Sequence, residues 1–199
     1  MFISHSTRYI FVHVQKTGGI SIDATLRRHE SERSDAWREH QGRQHMFASE
    51  VRALVQPQQW ETYYKFAFVR NPWGRLVSWY HMCMQAAEPN AFARHVQESA
   101  PTFDAFIRHT TTGLALRTTY NQLDYVADDD GKLLVDFVGR YERLRDDFEV
   151  VRERLGITHD LPHANRSSHS DYRDYYTDET RAIVAQRFAR DIAHFDYSF

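Results

Sequence analysis

The segment from Tyr9 to Ser21 constrains the fold of this chain more than any other. An apolar run ends in the polar turn Gln15-Lys16-Thr17-Gly18-Gly19, and an amphipathic stretch with Ile22 and Leu26 follows. This order is typical of a strand, a glycine loop and a helix, which together form a backbone cradle for a phosphate-like anion. In the P-loop pattern G-x-x-x-x-G-K-[ST] the lysine follows the glycines. Because the lysine precedes them here, the sequence disfavours an ordinary ATP or GTP hydrolase.

A second strand-to-helix transition covers residues 65–80. An apolar run reaches Arg70 and continues without a gap into a segment that starts with Asn71 and Pro72. Asparagine suits a helix N-cap and proline suits the first helical position. Arg70 is therefore expected at the carboxyl end of a strand, where open α/β sheets bind ligands. Ser78 is expected about two turns up the helix.

Together the two motifs resemble those of the sulfotransferases that use 3′-phosphoadenosine-5′-phosphosulfate (PAPS). The first reads K-T-G-G-x-S and the second R-N-P-x-x-R-x-x-S-x-Y. The resemblance is nearest to the carbohydrate branch, which includes the Golgi chondroitin and heparan enzymes, and it extends to residues 135–144, 161–167 and 175–179. The family often has proline and alanine where this chain has Gln15 and Gly18.

The resemblance implies binding residues for PAPS and for its product, PAP. The first motif would hold the 5′-phosphosulfate, the Arg…Ser pair of the second would hold the 3′-phosphate, and a later loop would close over the nucleotide. The cofactor-binding residues implied in this way are Lys16, Thr17, Gly18, Gly19, Ile20, Ser21, Arg70, Ser78, Arg166 and Ser167. Lys16 is also expected to act in catalysis by neutralising charge on the departing oxygen.

Histidine is the side chain best suited to accept an alcohol proton near neutral pH. The chain has 12 histidines. His13 lies in the first apolar run and is expected to be a packed, hydrogen-bonded residue. His45 follows a polar stretch, and the resemblance implies that it is the base. His40, five residues earlier, remains the alternative.

No metal site is expected. His159, His163 and His169 match no compact zinc-ligand spacing, and the single cysteine, Cys83, is remote from them in sequence. Sulfuryl transfer itself requires no metal, because positioning and electrostatics do most of the work, as in phosphoryl transfer.

Composition narrows the class further. The 199 residues fit one domain, residues 1–199, and the formal charge of −2 argues against a general nucleic-acid binder. One cysteine fits a reducing compartment, and no apolar run approaches the ~20 residues of a membrane span. We therefore expect a cytoplasmic protein without membrane or nucleic-acid partners, acting on a small molecule or saccharide. The oligomeric state is left open.

Strand and helix patterns alternate along the chain and predict an α/β fold: a three-layer sandwich with a short parallel sheet and a P-loop-like nucleotide site. A strand is expected at Leu133–Val138, followed by a helix to Leu155 that Gly156 ends. Further helices are expected over residues 47–55, 73–87, 91–98 and 103–109, and a last one from Thr177 or Asp178.

The sequence thus favours transfer of a sulfuryl group from PAPS to a hydroxyl of a carbohydrate or another polyhydroxylated acceptor. One alternative is a small-molecule kinase, which would want a metal-holding carboxylate and a lysine after the glycines. Another is a nucleotide-binding module that has lost catalysis. The sequence does not name the acceptor.

Overall fold

The computed structural model of the chain describes residues 1–31, 44–112, 121–162 and 170–199. Its contacts divide the chain into two compact units. The first comprises Met1–Val69 and Gln122–Arg166, and the second comprises Arg70–Asn121 and Ser167–Phe199.

The first unit contains a four-stranded sheet. Its strands, in spatial as well as chain order, are β1 (Phe2–Ser4), β2 (Tyr9–Val12), β3 (Tyr64–Val69) and β4 (Phe137–Arg140). Strands β2, β3 and β4 are parallel, and β1 pairs antiparallel with β2. The predicted α/β class and short parallel sheet are confirmed, with the antiparallel edge strand β1 as an addition.

The helices of the described residues are, in chain order, α1 (Gly19–Ser31), α2 (Ala48–Leu54), α3 (Pro57–Thr62), α4 (Pro72–Met84), α5 (Ala91–Ser99), α6 (Phe103–Thr112), α7 (Leu123–Val126), α8 (Leu144–Leu155), α9 (Asp178–Arg187) and α10 (Ala189–Phe195). Short 3₁₀ helices cover Tyr141–Arg143 and Tyr172–Tyr175. None of these helices is long and apolar enough to cross a membrane.

The core of the first unit lies where α1 and α8 cover one face of the sheet. Aromatic side chains of β2 and β3 form its floor, with Phe11 and Phe66 stacked at 5.1 Å between ring centroids. Leu26 of α1 and Val151 of α8 are fully buried against this floor. Alternate residues of a strand point to the same face, so the period of two along β2 and β3 produces the aromatic layer.

Lys65, near the start of β3, makes hydrogen bonds and an ion pair with neighbouring segments. Its Nζ donates to the backbone carbonyls of Trp60 (3.1 Å) and Tyr63 (2.8 Å) and lies 3.0 Å from a carboxylate oxygen of Asp136. The same carboxylate accepts the backbone N–H of Lys65 at 2.7 Å. This buried lysine therefore joins the entry of β3 to the segment leading into β4.

The strand predicted at Leu133–Val138 is displaced toward the C-terminus. Leu133 makes an isolated antiparallel bridge with Ala127, and the N–H of Leu134 donates to the carbonyl of Val126 at 2.8 Å. The turn before these residues folds them back on the preceding segment, so that the ladder with β3 starts only at Phe137.

One helix was not predicted and one helical prediction needs correction. Pro57 follows the end of α2 and occupies the first turn of α3, the helix that was not predicted, at a position that tolerates a missing N–H. The last helix, expected to run on from Thr177, is broken at Phe188, whose φ of −109° and ψ of 29° separate α9 from α10.

The second unit has its own core, built by α4, α5, α6 and α9. Buried side chains of this core include Trp79, Phe106, Val184 and Phe188. Many of the contacts are between aromatic edges and faces, a geometry that adds to the stabilisation from burial alone. Cys83 is buried in this core.

Candidate active site

The loop between β2 and α1 has a tightly curled backbone. Lys16 has a φ of +66° and Gly18 a φ of +83°, so two left-handed residues flank Thr17. At a residue with a Cβ, such as Lys16, this conformation costs on the order of 1–3 kcal/mol and persists only where its surroundings impose it. Alternating conformations of this kind turn successive N–H groups toward one concavity that suits an anion.

The side chain of Thr17 is used within the loop. Its hydroxyl donates to the carbonyl oxygen of Val14 at 2.9 Å, and the residue is fully buried. The backbone N–H of Ser21 is used as well, because it donates to the carbonyl of Gly18 at 3.1 Å. A contribution of Thr17 to anion binding would therefore come from its backbone N–H.

The first turn of α1 offers donors to a ligand. Within the described residues, no protein acceptor receives the backbone N–H of Gly19 or Ile20, as expected for the first residues of a helix. The first turn carries no acidic side chain, so the partial positive charge of the helix start is not offset locally. The side chain of Ile20 is 78% exposed.

Both glycines of the loop are required by their neighbours. A Cβ on Gly18 would lie 2.8 Å from Leu144 and 3.2 Å from Tyr141, at a φ that already disfavours side chains. A Cβ on Gly19 would lie 2.7 Å from Cε1 of His13 and nearer still to Nε2 and Cδ2 of the same ring. The loop thus rests on the start of α8 on one side and on an imidazole on the other.

His45 lies beside that imidazole. Its Nδ1 is 3.0 Å from the backbone carbonyl oxygen of His13, and the two rings meet edge to face with centroids 4.6 Å apart. A carbonyl can only accept, so Nδ1 of His45 carries the hydrogen. The neutral ring then has its lone pair on Nε2, which is the form that a proton acceptor needs.

His13 itself is held uncharged. Burial is the main reason that its pKa lies well below the ordinary 6.5, and the nearby His45 and the α-amino group of Met1 lower it further. The expectation of a packed residue is confirmed: the ring stacks on Phe11 with centroids 5.4 Å apart. It lies just beyond the last residue of β2 and not within the strand.

In the second unit, α4 begins as the sequence predicted. The side-chain oxygen of Asn71 accepts the N–H groups of Trp73 (3.0 Å) and Gly74 (3.4 Å), and Pro72 occupies the first turn. The amide nitrogen of Asn71 donates in turn to the carbonyl of Ser198 at 2.7 Å. The cap therefore has its orientation fixed from both ends of its amide group.

Of the two residues implied for the 3′-phosphate, one precedes this helix start and the other lies about two turns along the helix. Arg70 directly precedes the cap and is buried, with Nε lying 3.6 Å from the place where a Cβ on Gly74 would stand. Ser78 is on α4 and is partly exposed.

The structure therefore brings the residues of the first motif together with His45 in the first unit, and it places Arg70 and Ser78 in the second. Arg166, Ser167 and His40 lie outside the described residues. Among the residues that the structure describes, no group of three or more histidine, cysteine or acidic side chains is arranged to hold a metal ion.

Sequence reasoning missed the part that His13 plays in this arrangement. Its contacts with His45 and Gly19 join positions that are far apart in the chain or separated by a turn. One sequence signal was available. His13 lies in an apolar run a few residues before two glycines, and residues without a side chain leave room for a neighbouring ring.

Comparisons with known proteins give matches in both sequence and fold. The family model described as the sulfotransferase family matches residues 1–198. An uncharacterised protein of Archaeoglobus fulgidus is 26% identical over 128 residues, which is 62% of this chain and 93% of that protein.

A solved structure is similar in fold. It is the crystal structure of the mouse sulfotransferase SULT7A1 complexed with PAP, with a TM-score of 0.59 and 14% sequence identity. The match covers 98% of this chain and 88% of the mouse chain.

Proposed function

Since the chain belongs to the sulfotransferase family, we propose that it uses PAPS to sulfate a hydroxyl of a carbohydrate or another polyhydroxylated acceptor. The observation that carries this proposal is the juxtaposition of a curled, N–H-rich loop with a histidine whose Nε2 can accept a proton. An anion cradle and a base are the two parts that sulfuryl transfer to an alcohol needs from a protein.

The loop serves the donor side of the reaction. The N–H groups of Gly19 and Ile20, together with the positive end of α1, bind the oxygens of the phosphosulfate. As the bond between sulfur and the bridging oxygen breaks, negative charge develops on that oxygen, and Lys16 neutralises it. Because neighbouring residues hold the loop in its conformation, this stabilisation needs little reorganisation during the reaction.

His45 serves the acceptor side. Its Nε2 takes the proton of the acceptor hydroxyl while the hydroxyl oxygen forms the new bond to sulfur. The imidazolium that results is stabilised by the hydrogen bond from Nδ1 to the carbonyl of His13. PAP leaves with the electron pair of the broken bond. His40 is the alternative base, and it lies outside the described residues.

Arg70 and Ser78 are proposed to recognise the 3′-phosphate, the group that separates PAPS from adenosine-5′-phosphosulfate. A guanidinium can offer two parallel N–H groups to one phosphate, and a helix hydroxyl can add a third donor. Arg166 and Ser167, outside the described residues, are proposed to contact the nucleotide. All four residues are assigned by resemblance and by the character of their side chains.

The test is sulfuryl transfer from ³⁵S-labelled PAPS to a panel of saccharides and small polyols, with PAP affinity measured separately by calorimetry. Wild type is expected to transfer label and to bind PAP. His45→Ala is expected to lower turnover by roughly 10²–10⁴-fold, the usual contribution of a general base, while PAP affinity changes little.

Three results would contradict the proposal. Binding of PAP without transfer to any acceptor would indicate a silent nucleotide-binding module. Phosphoryl transfer from ATP would indicate a kinase. Full turnover in His45→Ala would remove His45 as the base.

A further inference from the structure

The ring of His13 contacts three neighbours in the first unit: Phe11, His45 and Gly19. Its ring stacks on Phe11 at 5.4 Å with an angle of 18° between the planes. Its edge meets the ring of His45 at 4.6 Å, and its Nε2 lies against the backbone of Gly19 at the start of α1. The imidazole of His13 is therefore packed as a wedge between Phe11 of the sheet, the proposed base His45 and Gly19 of the glycine loop.

The backbone of His13 contributes separately from its ring. Its carbonyl oxygen accepts the Nδ1 hydrogen of His45 at 3.0 Å, which selects the tautomer whose lone pair is on Nε2. A hydrogen bond alone leaves the partner ring free to rotate about the bond. The edge contact with the His13 ring removes that freedom, so the two contacts together fix both the tautomer and the plane of His45.

The uncharged state of His13 suits this role. Its pKa is held well below 6.5, mainly by burial and then by the charge of its neighbours. When His45 accepts a proton it becomes a cation, and a second cation 4.6 Å away would oppose that step. A wedge that stays neutral supports the ring of His45 without opposing its protonation.

We infer that His13 is a positioning residue for His45, holding its ring in the orientation in which Nε2 can accept the acceptor proton. The inference rests on the proposed function, because it takes His45 as the base. It assigns no proton transfer to His13 itself.

The test is a double-mutant cycle on turnover with His13→Ala and His45→Ala. In the wild-type background, His13→Ala is expected to lower kcat by about 10- to 100-fold, the effect of misplacing a catalytic group by ~1 Å. In the His45→Ala background the same change is expected to lower kcat by less than about 2-fold, because the ring has nothing left to position. PAP affinity should change by less than about 3-fold.

Equal losses of kcat in the two backgrounds would overturn the inference, because His13 would then act independently of His45. A fall in PAP affinity as large as the fall in kcat would overturn it too, since the ring would then be shaping the cradle. Spectroscopy supplies a third readout: ¹⁵N spectra should show the Nδ1–H tautomer of His45 in both wild type and His13→Ala, because the backbone carbonyl that selects it remains. Loss of that tautomer in His13→Ala would overturn the division of roles between the carbonyl and the ring.

His13→Asn guards against a variant that fails to fold. Asparagine is planar, uncharged and no larger than histidine, and it cannot act as a base. It is expected to retain more turnover than His13→Ala. Loss of turnover as complete as in His45→Ala would mean that a nitrogen of His13 takes the proton itself, and the positioning role would be wrong.

His5→Ala is the matched control. His5 also donates or accepts through Nδ1, to the hydroxyl of Tyr63 at 2.9 Å, and its ring meets the Tyr63 ring edge-on at 5.7 Å. It follows β1 at the end of the sheet where β2 begins, whereas His13 follows the end of β2. Its loss should leave kcat unchanged.

The inference and the proposed function fail in different ways. If His45→Ala retains full turnover, the proposed base is wrong and the positioning role of His13 is overturned with it. If His45→Ala abolishes turnover while His13→Ala does not reduce it, the proposed function stands and only the role of His13 is lost.

Discussion

Substitution of Gly19 by alanine tests whether the His13 ring is held tightly between Gly19, Phe11 and His45. The new Cβ would stand 2.7 Å from Cε1 of His13 and closer to the other two ring atoms, whereas ordinary contacts begin at about 3.4 Å. The His13 ring must therefore move away by about 1 Å or more. Phe11 and His45, which contact the ring on its other sides, oppose that movement. Overpacking of this kind typically destabilises by ~1–3 kcal/mol, against a gain in helix propensity of at most about 1 kcal/mol for alanine.

The net effect is expected to be a lower melting temperature, by about 2–6 °C for a chain of this size, and a kcat reduced by about 10- to 100-fold. Thermal unfolding and steady-state transfer assays measure the two. Gly74→Ala is the control for stability, because Gly74 also lies in the first turn of a helix and its Cβ would find its nearest atom at 3.5 Å. That variant should be as stable as wild type or more so. A Gly19→Ala protein with wild-type stability and turnover would show that the imidazole can swing aside at no cost, and would refute the wedge.

Other predictions concern the donor site and the fold. Lys16→Ala should lower turnover by ~10²–10³-fold with the fold intact, while Lys132→Ala, on an exposed turn, should not; a Lys16→Ala enzyme within a few-fold of wild type would exclude the lysine from the mechanism. Arg70→Ala should weaken PAP binding by one to two orders of magnitude, the value of a charge-assisted contact of roughly 1.5–3 kcal/mol, and adenosine-5′-monophosphate binding little; equal losses by calorimetry for both nucleotides, with a lower melting temperature, would indicate a structural arginine. Glu30 is buried, which alone would raise its pKa, but hydrogen bonds such as that from Thr7 (2.7 Å) bring the pKa below its ordinary 4.5. The carboxylate thus stabilises the fold above about pH 4.5, and the stability difference between wild type and Glu30→Gln should shrink as pH falls through the folded-state pKa. Denaturant titrations from about pH 6 to pH 3 can measure this difference. A difference in stability that does not depend on pH would contradict the assignment.

The parts of the fold that depend on neighbouring residues could be predicted from the sequence. The start of α4 is an example, because an asparagine cap followed by proline acts within a single turn and needs no help from the rest of the chain. The end of α8 at Gly156 is another, where a φ of +65° explains the glycine.

The parts of the fold that depend on contacts between distant residues could not be predicted from the sequence. The apolar run from Leu133 has the character of a strand, but whether it pairs with β3 depends on what the turn before it does, and it is Phe137 that meets Phe66. The break at Phe188 is equally hidden, since the apolar period on both sides of it continues without interruption.

The candidate site also has parts that could be predicted from the sequence and parts that could not. The glycine loop could be recognised because its chemistry lies in consecutive residues. The pairing of His13 with His45 could not, because 32 positions separate them and only the folded chain brings their rings together. The resemblance to known sulfotransferases supplied His45 as a candidate, but not the carbonyl that sets its tautomer.

The pairing of β3 with β4 also affects how this protein is made. Lys65 and Asp136, which join the two strands at their start, are 71 positions apart, so the nascent chain completes β3 long before its partner strand leaves the ribosome. Until then the apolar run Tyr64–Val69 has one unpaired edge, and exposed edges of this kind are templates for aggregation. Slow closure of such distant contacts is expected to limit the folding rate. The yield of soluble protein should therefore depend on translation rate and temperature more than the stability of the finished sheet would indicate.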